Sequence, residues 1–207
     1  MNVVDEFVPL ALVGPSGSGK STLCRALLDT FGDALRLSVS YTTRPPRGAE
    51  RDGVEYHFLN RERFDALARE GALLEWAEVH GNCYGTPAFV LEQARRDARG
   101  VLFDIDVQGA RQILARVPSL VTVMILPPSW EELERRLLAR GTDRPEVIAR
   151  RMNNARSELA HYAMFDYLLV NDDLTRASRE LASIVHAERA RRARRALHAE
   201  SLLRVDR

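Results

Sequence analysis

Lysine is nearly missing from this sequence: Lys20 is the only one among 30 basic residues, and all the others are arginine. Cysteine is scarce as well, because Cys24 and Cys83 are the only two, and two thiols cannot build the disulfide framework of a small secreted domain. No apolar run approaches the ~18 residues that a membrane span requires. Asp5 and Glu6 occupy the segment where a signal peptide carries positive charge. We therefore expect a cytoplasmic protein that does not enter a membrane.

Net charge, repeats and linkers are also close to absent. The 207 residues carry a formal charge of only +1, so the overall charge predicts neither a nucleic acid nor another polyanion as a partner. We find no internal repeat and no low-complexity linker in a chain that is 45% hydrophobic and 29% charged. These values are typical of one soluble globular domain. They leave open whether copies of the chain form a homo-oligomer.

What the sequence does contain is a glycine-rich segment around the lone lysine. Gly14-x-x-x-x-Gly19-Lys20-Ser21 is the P-loop pattern, with an apolar run at 8–13 before it and apolar residues at helical spacing through 21–31. In a strand–loop–helix context, backbone N–H groups and the helix N-terminus surround the phosphates of a nucleotide. The compact charge of lysine fits a narrow phosphate site better than the broad fork of arginine does. A glycine-rich turn that binds nothing is the alternative.

This pattern predicts an ATP site in which Lys20 reaches the β- and γ-phosphates and Ser21 helps to hold Mg²⁺. The P-loop residues expected to bind ATP are Gly14, Pro15, Ser16, Gly17, Ser18, Gly19, Lys20, Ser21 and Thr22.

Alternating strands and helices predict an α/β fold with a parallel sheet. The strand candidates are residues 8–13, 35–40, 101–105, 120–126 and Tyr167–Val170. A helix is expected after the P-loop, a second from an N-cap at Thr86 with Pro87 to about Arg99, and a third after an N-cap at Asp106. A capping box of Ser129 and Glu132 predicts a fourth helix that ends near Gly141. Two more helices are expected, from Pro145 to about Tyr162 and from about Asp173 towards residue 198.

The stretch 41–85 interrupts this alternation. It combines a loop at 44–53 that is rich in proline and arginine with a short strand at 54–58, a helix at 61–70 and a strand at Leu73–Val79. We interpret it as an insertion on the core with its own small antiparallel sheet.

Two arginines of the insertion suggest a second anion site. Arg44 and Arg47 lie on a loop that Pro45 and Pro46 stiffen, so their guanidinium groups lose less entropy on binding. With the hydroxyls of Ser40, Thr42 and Tyr56 nearby in sequence, the pair suits a phosphate monoester. An arginine-rich loop that is merely solvated is the alternative.

Glu75 is the candidate for recognition of a base. It follows two leucines in a predicted strand, and its carboxylate can accept two N–H bonds side by side. Guanine offers such a pair at N1 and the 2-amino group, and adenine does not. The alternative is an ordinary glutamate on the outer face of the strand.

Taken together, these segments closely resemble guanylate kinase, the family that phosphorylates GMP with ATP. The resemblance covers residues 8 to 185 and rests on the order and spacing of residues 14–22, Ser40-x-Thr42-Thr43-Arg44-Pro45-Pro46-Arg47, Tyr56, Glu75-Trp76, 81–86, Asp104-Ile105-Asp106 and Asn171-Asp172-Asp173. It implies a P-loop NTPase three-layer fold with a parallel core sheet, a small GMP-binding insertion with antiparallel strands, and a helical lid.

The resemblance divides one domain over residues 1–207 into parts with different tasks. The core would comprise 8–40, 87–127 and 163–190, the GMP-binding insertion 41–86, the lid 128–162, and a basic helical tail 187–207. The tail is expected to be a solvated helical extension, although its arginines could also contact acidic surfaces or RNA.

The resemblance also assigns roles to single residues. Those that would hold the GMP phosphate are Arg44, Arg47, Tyr56 and Tyr84, and those that would contact the base are Ser40, Glu75, Thr86 and Asp106. Arg136, Arg140 and Arg151 would close on the phosphates from the lid and, with Lys20 and Arg44, act in catalysis. Asn171 would lie near the adenine, and Asp104 would join Ser21 at Mg²⁺. The alternative for Asp104 and Asp106 is that they only cap a helix or solvate the end of the sheet.

Two other functions share this fold. A ribose 1,5-bisphosphate kinase would keep the P-loop but need no guanine reader, which Arg44, Arg47, Glu75 and Thr86 argue against. A non-catalytic scaffold that binds phosphopeptides would need neither an intact P-loop nor lid arginines. The chain departs from the family pattern at Ala49, where glycine is usual, and at Cys83, where an aromatic residue is common.

Overall fold

The computed structural model describes residues 7–79, 81–139 and 144–204. In chain order the strands are β1 (Pro9–Val13), β2 (Leu35–Leu37), β3 (Tyr41–Thr42), β4 (His57–Phe58), β5 (Leu73–Val79), β6 (Asn82–Pro87), β7 (Gly100–Asp104), β8 (Val121–Leu126) and β9 (Tyr167–Val170). The helices are α1 (Lys20–Phe31), α2 (Arg61–Arg69), α3 (Phe89–Arg96), α4 (Val107–Arg116), α5 (Trp130–Leu138), α6 (Pro145–Leu159), α7 (Leu174–Arg189) and α8 (Arg192–Leu203).

The core is a five-stranded parallel sheet in the order β2-β7-β1-β8-β9. β1 lies at its centre and is buried at every position, as expected where helices cover both faces of a parallel sheet. Successive residues point to opposite faces. Phe103 therefore packs with α3 and α4 on one face, whereas Leu102 packs with α1 and α7 on the other. This arrangement confirms the predicted three-layer α/β fold.

The insertion forms a separate sheet in the order β4-β3-β6-β5. β6 pairs antiparallel with both β3 and β5, but β3 and β4 are parallel, so the expected antiparallel sheet is in fact mixed. Its own small core contains Phe64, Leu73 and Cys83. Cys83 thus fills the place of the family's aromatic residue as a buried side chain. The predicted strand at 54–58 shrinks to His57–Phe58.

The predicted helix start at Thr86 and Pro87 is wrong. Both residues belong to β6, where Pro87 lies opposite Leu73 and Thr86 opposite Glu75, and α3 begins only at Phe89. The local pattern of threonine followed by proline resembles a cap, but pairing with β5 prevails because the Thr86 side chain is buried and bonds to Glu75.

The predicted caps of the two following helices hold in part. Asp106 Oδ1 accepts from the Gly109 backbone N–H at 2.7 Å, and Ser129 Oγ accepts from the Glu132 N–H at 3.2 Å. The Glu132 side chain pairs with Arg135 and Arg136 instead of completing a capping box. Gly141, the predicted end of that helix, lies outside the described residues.

The last predicted helix, from Asp173 towards residue 198, is two helices. α7 ends at Arg189, and α8 begins at Arg192 after a turn. The turn brings Arg194 back to the sheet, where its guanidinium donates to the carbonyl of Phe7 at 2.8 Å. Other elements end earlier than predicted: the strand at 35–40 ends at Leu37, α3 at Arg96 and α6 at Leu159.

Strand order determines where a site can form. β1, β7 and β8 are neighbours, so the P-loop after β1, the segment 104–106 after β7 and the segment 127–129 after β8 meet at one edge of the sheet. In parallel α/β sheets this carboxyl edge is the usual location of ligand sites. Among the described helices, none combines the length and apolar composition needed to cross a membrane.

Candidate active site

The P-loop connects β1 to α1 with a backbone that only glycine adopts easily. Gly17 and Gly19 have φ angles of 92° and 91°, and a Cβ on Gly19 would lie 2.1 Å from Asn171 Nδ2. Gly19 caps α1 without any side-chain hydrogen bond. The first backbone N–H groups of the helix therefore remain available to an anion.

The side chain of Asn171 holds the P-loop through a hydrogen bond. Its Nδ2 donates to the Ser18 carbonyl at 2.7 Å, and the side chain is buried. The structure thus places Asn171 against the P-loop, whereas its predicted proximity to adenine stays a prediction.

Lys20 and Ser21 converge on the end of β7. Lys20 Nζ lies 2.8 Å from Asp104 Oδ1 and donates to the Ile105 carbonyl at 3.0 Å, while Ser21 Oγ donates to Asp104 Oδ2 at 3.4 Å. The Ile105 carbonyl is a contact that the sequence did not predict.

The oxygens of Ser21 and Asp104 at the end of β7 suit a Mg²⁺ ion that binds together with a nucleotide. The described residues contain no cluster of three or more acidic, histidine or cysteine side chains that could hold a metal by themselves. Mg²⁺ in phosphoryl-transfer enzymes needs only one or two protein oxygens, because phosphates and water complete its shell. Ser21 Oγ and Asp104 provide oxygens of this kind side by side.

A cavity of about 300 Å³, here called the insertion cavity, lies where the insertion meets this corner of the core. It brings together most of the predicted acceptor residues with three apolar residues that were not predicted. Its lining consists of Lys20, Ser40, Tyr56, Glu75, Ala77, Val79, Tyr84, Asp104, Ile105 and Asp106.

One end of the insertion cavity carries a buried carboxylate. Glu75 Oε1 accepts from the Thr86 hydroxyl at 2.6 Å, and both side chains are buried. Burial raises the pKa of Glu75 above its ordinary value, and the nearby charge of Asp106 adds to the increase. Glu75 therefore does not point to bulk solvent. Asp106 caps α4, as predicted, and also lines the cavity, whereas its contact with a base stays a prediction.

Tyr56 and Tyr84 line the insertion cavity as well, whereas the predicted Arg44, Arg47 and Thr86 do not. The Arg44 guanidinium lies 5.4 Å from the centre of the Tyr56 ring, and the Tyr56 and Tyr84 rings meet edge to face at 5.9 Å. Arg44 is buried, whereas Arg47 is exposed. Thr42 does not contribute its hydroxyl to a ligand, because that oxygen donates to the Cys83 carbonyl at 3.0 Å.

A second cavity of about 430 Å³, here called the P-loop cavity, lies on the other side of the glycine loop. Arg136 borders it, with its Nε at 2.7 Å from Glu132 Oε1 and an Nη donating to the Asn171 carbonyl at 2.9 Å. Its lining consists of Gly17, Gly19, Thr22, Glu132, Arg135, Arg136, Asn171, Asp172 and Leu174.

The three arginines predicted for the lid are only partly described. Arg151 on α6 donates to Ser16 Oγ of the P-loop at 2.9 Å, so α6 contacts the P-loop. Arg136 contacts α5 and Asn171 as given above. Arg140 lies outside the described residues, and its predicted role remains untested.

Sequence reasoning missed two carboxylates near the site. Glu50 pairs with Arg44 through both oxygens, and its position six residues along the same short loop was the available signal. Glu158 lies seven residues after Arg151, on the same face of α6, and borders a cavity of about 670 Å³ with Asp106. Burial raises the pKa of Glu158, which the charge of Lys20 opposes and that of Asp106 reinforces.

A comparison with protein families matches residues 7–188 to the model described as "Guanylate kinase". The chain belongs to the guanylate kinase family. It is 52% identical over 192 residues to the guanylate kinase of Syntrophotalea carbinolica, covering 93% of this chain and 91% of that protein. It is 53% identical over 177 residues to the guanylate kinase of Alkalilimnicola ehrlichii, covering 86% of this chain and 87% of the relative.

A solved guanylate kinase structure has the same fold. The crystal structure of guanylate kinase from Anaplasma phagocytophilum superimposes with a TM-score of 0.73 at 34% sequence identity, covering 91% of this chain and 89% of the other. The resemblance derived from the sequence is thereby confirmed. Nothing in these matches favours a ribose 1,5-bisphosphate kinase or a phosphopeptide-binding scaffold.

Proposed function

We propose that this guanylate kinase family member transfers the γ-phosphoryl group of ATP to GMP, giving ADP and GDP, with Mg²⁺ bound alongside ATP. The insertion cavity carries this proposal, because a buried carboxylate and two tyrosines line it beside the P-loop lysine, and Arg44 lies over the ring of one of these tyrosines, Tyr56. dGMP is a second acceptor, since the proposed contacts go to the base and the phosphate and none requires the 2′-hydroxyl.

Glu75 distinguishes guanine from adenine. Its carboxylate accepts from N1–H and the 2-amino group, while Thr86, which donates to Glu75 Oε1 at 2.6 Å, fixes the orientation of the carboxylate. Ser40 and Asp106 line the same cavity and supply further polar contacts to the base. Adenine lacks this pair of donors, so it leaves a buried carboxylate unpaired, which is costly.

Arg44, Arg47, Tyr56 and Tyr84 bind the acceptor phosphate. Two unit charges at about 4 Å repel by roughly 4 kcal/mol at an effective dielectric constant near 20. Positive charge between the two substrates offsets this repulsion. Lys20 is suited to do so because it begins α1 and also lines the insertion cavity. A phosphate oxygen is already nucleophilic, so no general base is needed.

Ser21 and Asp104 would hold the Mg²⁺. When bound, the ion neutralises charge on the β- and γ-phosphate oxygens of ATP. The P-loop residues 14–22 wrap the phosphates with backbone N–H groups, and the adenosine occupies the P-loop cavity near Asn171.

The insertion, residues 41–86, and the lid, residues 128–162, close over the core, residues 8–40, 87–127 and 163–190. Closure excludes water, which would otherwise compete as phosphoryl acceptor. It brings Arg136, Arg140 and Arg151 to the transferred group. The contact between Arg151 and Ser16 at 2.9 Å supports this assignment for α6.

An acceptor panel tests the proposal. The purified protein is mixed with MgATP and with GMP, dGMP, AMP, UMP or ribose 1,5-bisphosphate, and ADP formation is followed. We expect rapid turnover with GMP and dGMP, and at least about a hundredfold lower kcat/KM with AMP. Turnover with the sugar phosphate alone would reject the guanine-reading role of Glu75. No turnover with any acceptor, despite binding of ATP, would reject the proposed reaction.

A further inference from the structure

We propose that Glu50 is a positioning residue for the acceptor phosphate: it fixes the guanidinium of Arg44 and the loop that carries Arg47 in the geometry that receives the phosphate. The inference rests on the proposed function, and it concerns a residue that does not itself touch the substrate.

The contacts between Glu50 and Arg44 are bidentate. The two Nη atoms of Arg44 donate to the two carboxylate oxygens at 2.9 and 3.0 Å, and the first also donates to the Pro45 carbonyl at 2.8 Å. A guanidinium has five N–H donors, so these bonds use three of them, and the Tyr84 side chain is a further hydrogen-bond partner of Arg44. Since the Arg44 guanidinium also lies over the Tyr56 ring, its remaining donors have a fixed direction.

The same carboxylate holds the backbone of the loop. Glu50 Oε2 accepts from the Arg47 N–H at 2.8 Å, and the Glu50 N–H donates to the Arg47 carbonyl at 3.1 Å. One side chain therefore sets the position of both phosphate-binding arginines relative to each other. The rigid Pro45–Pro46 pair lies between them, so little entropy remains to be lost when the phosphate binds.

The alternative is that Glu50 takes the place of the phosphate only while GMP is absent, and that Glu50 leaves Arg44 when GMP binds. The backbone contacts of Glu50 argue against this, because it is built into the turn through two hydrogen bonds to the backbone of Arg47. The Arg44 guanidinium also lowers the pKa of the Glu50 carboxyl, so the pair stays charged at neutral pH. The two alternatives predict opposite effects on GMP affinity.

Glu50→Gln separates them, with Glu55→Gln as matched control. Glu55 lies on the same exposed loop and accepts a single backbone N–H, that of Arg51, at 2.7 Å. Calorimetry measures the dissociation constants of GMP and of guanosine, which lacks the phosphate, and steady-state kinetics measures KM and kcat. Glu50→Asp, which keeps the charge but shortens the reach, provides a second variant should Glu50→Gln fold poorly.

For Glu50→Gln we expect the dissociation constant and KM of GMP to rise about tenfold or more, as a charge-assisted hydrogen-bond network is lost. Guanosine affinity and the KM of ATP should stay within about twofold, as should every value for Glu55→Gln. Glu50→Asp should fall between wild type and Glu50→Gln.

Three results would overturn the proposal. Tighter GMP binding by Glu50→Gln would identify a phosphate stand-in, and unchanged binding would identify a bystander. An equal loss of guanosine and GMP affinity would mean that the substitution disrupts the whole insertion. None of these results bears on the proposed reaction, which the turnover of the wild-type protein with GMP tests separately.

Discussion

At the scale of single residues, Lys20 lies in a narrow site between two oxygens. Its ammonium group lies between Asp104 Oδ1 at 2.8 Å and the Ile105 carbonyl at 3.0 Å. Both oxygens approach one small nitrogen, and a planar guanidinium would need more room. This geometry gives a structural reason why the one lysine of the chain stands here.

We therefore predict that both Lys20→Met and Lys20→Arg lose activity. Methionine removes the charge, and arginine keeps it but does not fit between Asp104 and Ile105. In each variant kcat should fall about a thousandfold or more, whereas GMP affinity measured by calorimetry should change little. Near-normal turnover of Lys20→Arg would refute the argument that the site is too narrow for a guanidinium.

Glu75 gives a prediction about specificity. In Glu75→Gln the amide offers one acceptor and one donor where guanine needs two acceptors. We expect kcat/KM for GMP to fall about a hundredfold or more, with the preference for GMP over AMP reduced accordingly. The measurement is the ratio of kcat/KM for the two acceptors. An unchanged ratio would exclude Glu75 as the residue that distinguishes the bases.

The same substitution should stabilise the protein in a pH-dependent way. Burial raises the pKa of Glu75 in the folded state, so the folded protein binds this proton more tightly than the unfolded chain does. Folding stability is therefore lost as pH rises from the ordinary carboxyl pKa through the raised one. Glutamine can still accept from Thr86 and carries no charge.

Thermal unfolding without nucleotide is the measurement for this effect. Glu75→Gln should have a higher midpoint than wild type at pH 8, and the difference should shrink towards pH 4, where the wild-type carboxyl is protonated. Equal midpoints at pH 8 would show that the buried carboxylate costs no stability. A gain in stability with a loss of activity is the expected trade-off at a functional site.

At the scale of elements, locally encoded features were predicted well and features fixed by distant partners were not. The P-loop and the cap at Asp106 each depend on a few consecutive residues, so the sequence sufficed. Thr86 was misassigned because its position is set by pairing with β5. The break between α7 and α8 was missed because it depends on Arg194 reaching Phe7, far away in the chain.

The candidate site follows the same division. The resemblance predicted the polar residues that line the insertion cavity because their order along the chain is characteristic, but Arg44, Arg47 and Thr86 were predicted for the same substrate and do not line it. Glu50 was missed although it lies on the same short loop as Arg44, and Glu158 was missed because nothing in the sequence states that it lies near Lys20 and Asp106. The apolar lining by Ala77 and Val79 depends on which face of β5 meets the core.

The P-loop allows a test of how tightly two elements are joined. A Cβ on Gly19 would lie 2.1 Å from Asn171 Nδ2, whereas Gly71 after α2 also has a positive φ, 70°, but nothing within 4 Å. Gly71→Ala should cost about 1 kcal/mol from backbone strain alone. Gly19→Ala should cost about 1–3 kcal/mol more, because the clash adds to the strain.

Chemical denaturation of the two variants without nucleotide measures this difference. Gly19→Ala combined with Asn171→Ala should recover part of the loss that the clash causes. Equal costs for the two single variants would show that Asn171 moves aside freely, and that it does not hold the loop.

At the scale of the whole molecule, the carboxyl and amino ends of the core strands form two opposite edges of the sheet, and different residues lie at each. The P-loop and Asp104 lie at the carboxyl edge, whereas α8 contacts the segments that lead into β1 and β8 at the opposite edge. Arg194 donates to the carbonyls of Phe7 at 2.8 Å and Ser119 at 3.2 Å. Strands of about five residues separate the two edges by roughly 16 Å, so α8 is remote from the site.

A buried carboxylate anchors this tail. Glu188 is 1% exposed and accepts from the Tyr167 hydroxyl at 2.7 Å, with Arg191 at 3.4 Å and Arg194 at 3.8 Å. Of these two arginines of the basic tail, Arg194 packs against the protein with 11% of its side chain exposed, whereas Arg191 stays 67% exposed. Removing one partner of a buried charge costs more than the bond itself, because the other charge stays buried.

Arg194→Ala should therefore destabilise the protein without affecting the site. We expect a loss of about 1–3 kcal/mol in the free energy of unfolding by urea, with KM values for ATP and GMP unchanged because the substitution lies at the opposite edge of the sheet. Arg192→Ala is the control, since Arg192 is exposed on the same helix and should change stability by less than about 0.5 kcal/mol. A changed KM in Arg194→Ala would mean that the tail communicates with the carboxyl edge, and an unchanged stability would mean that α8 is not anchored through Arg194.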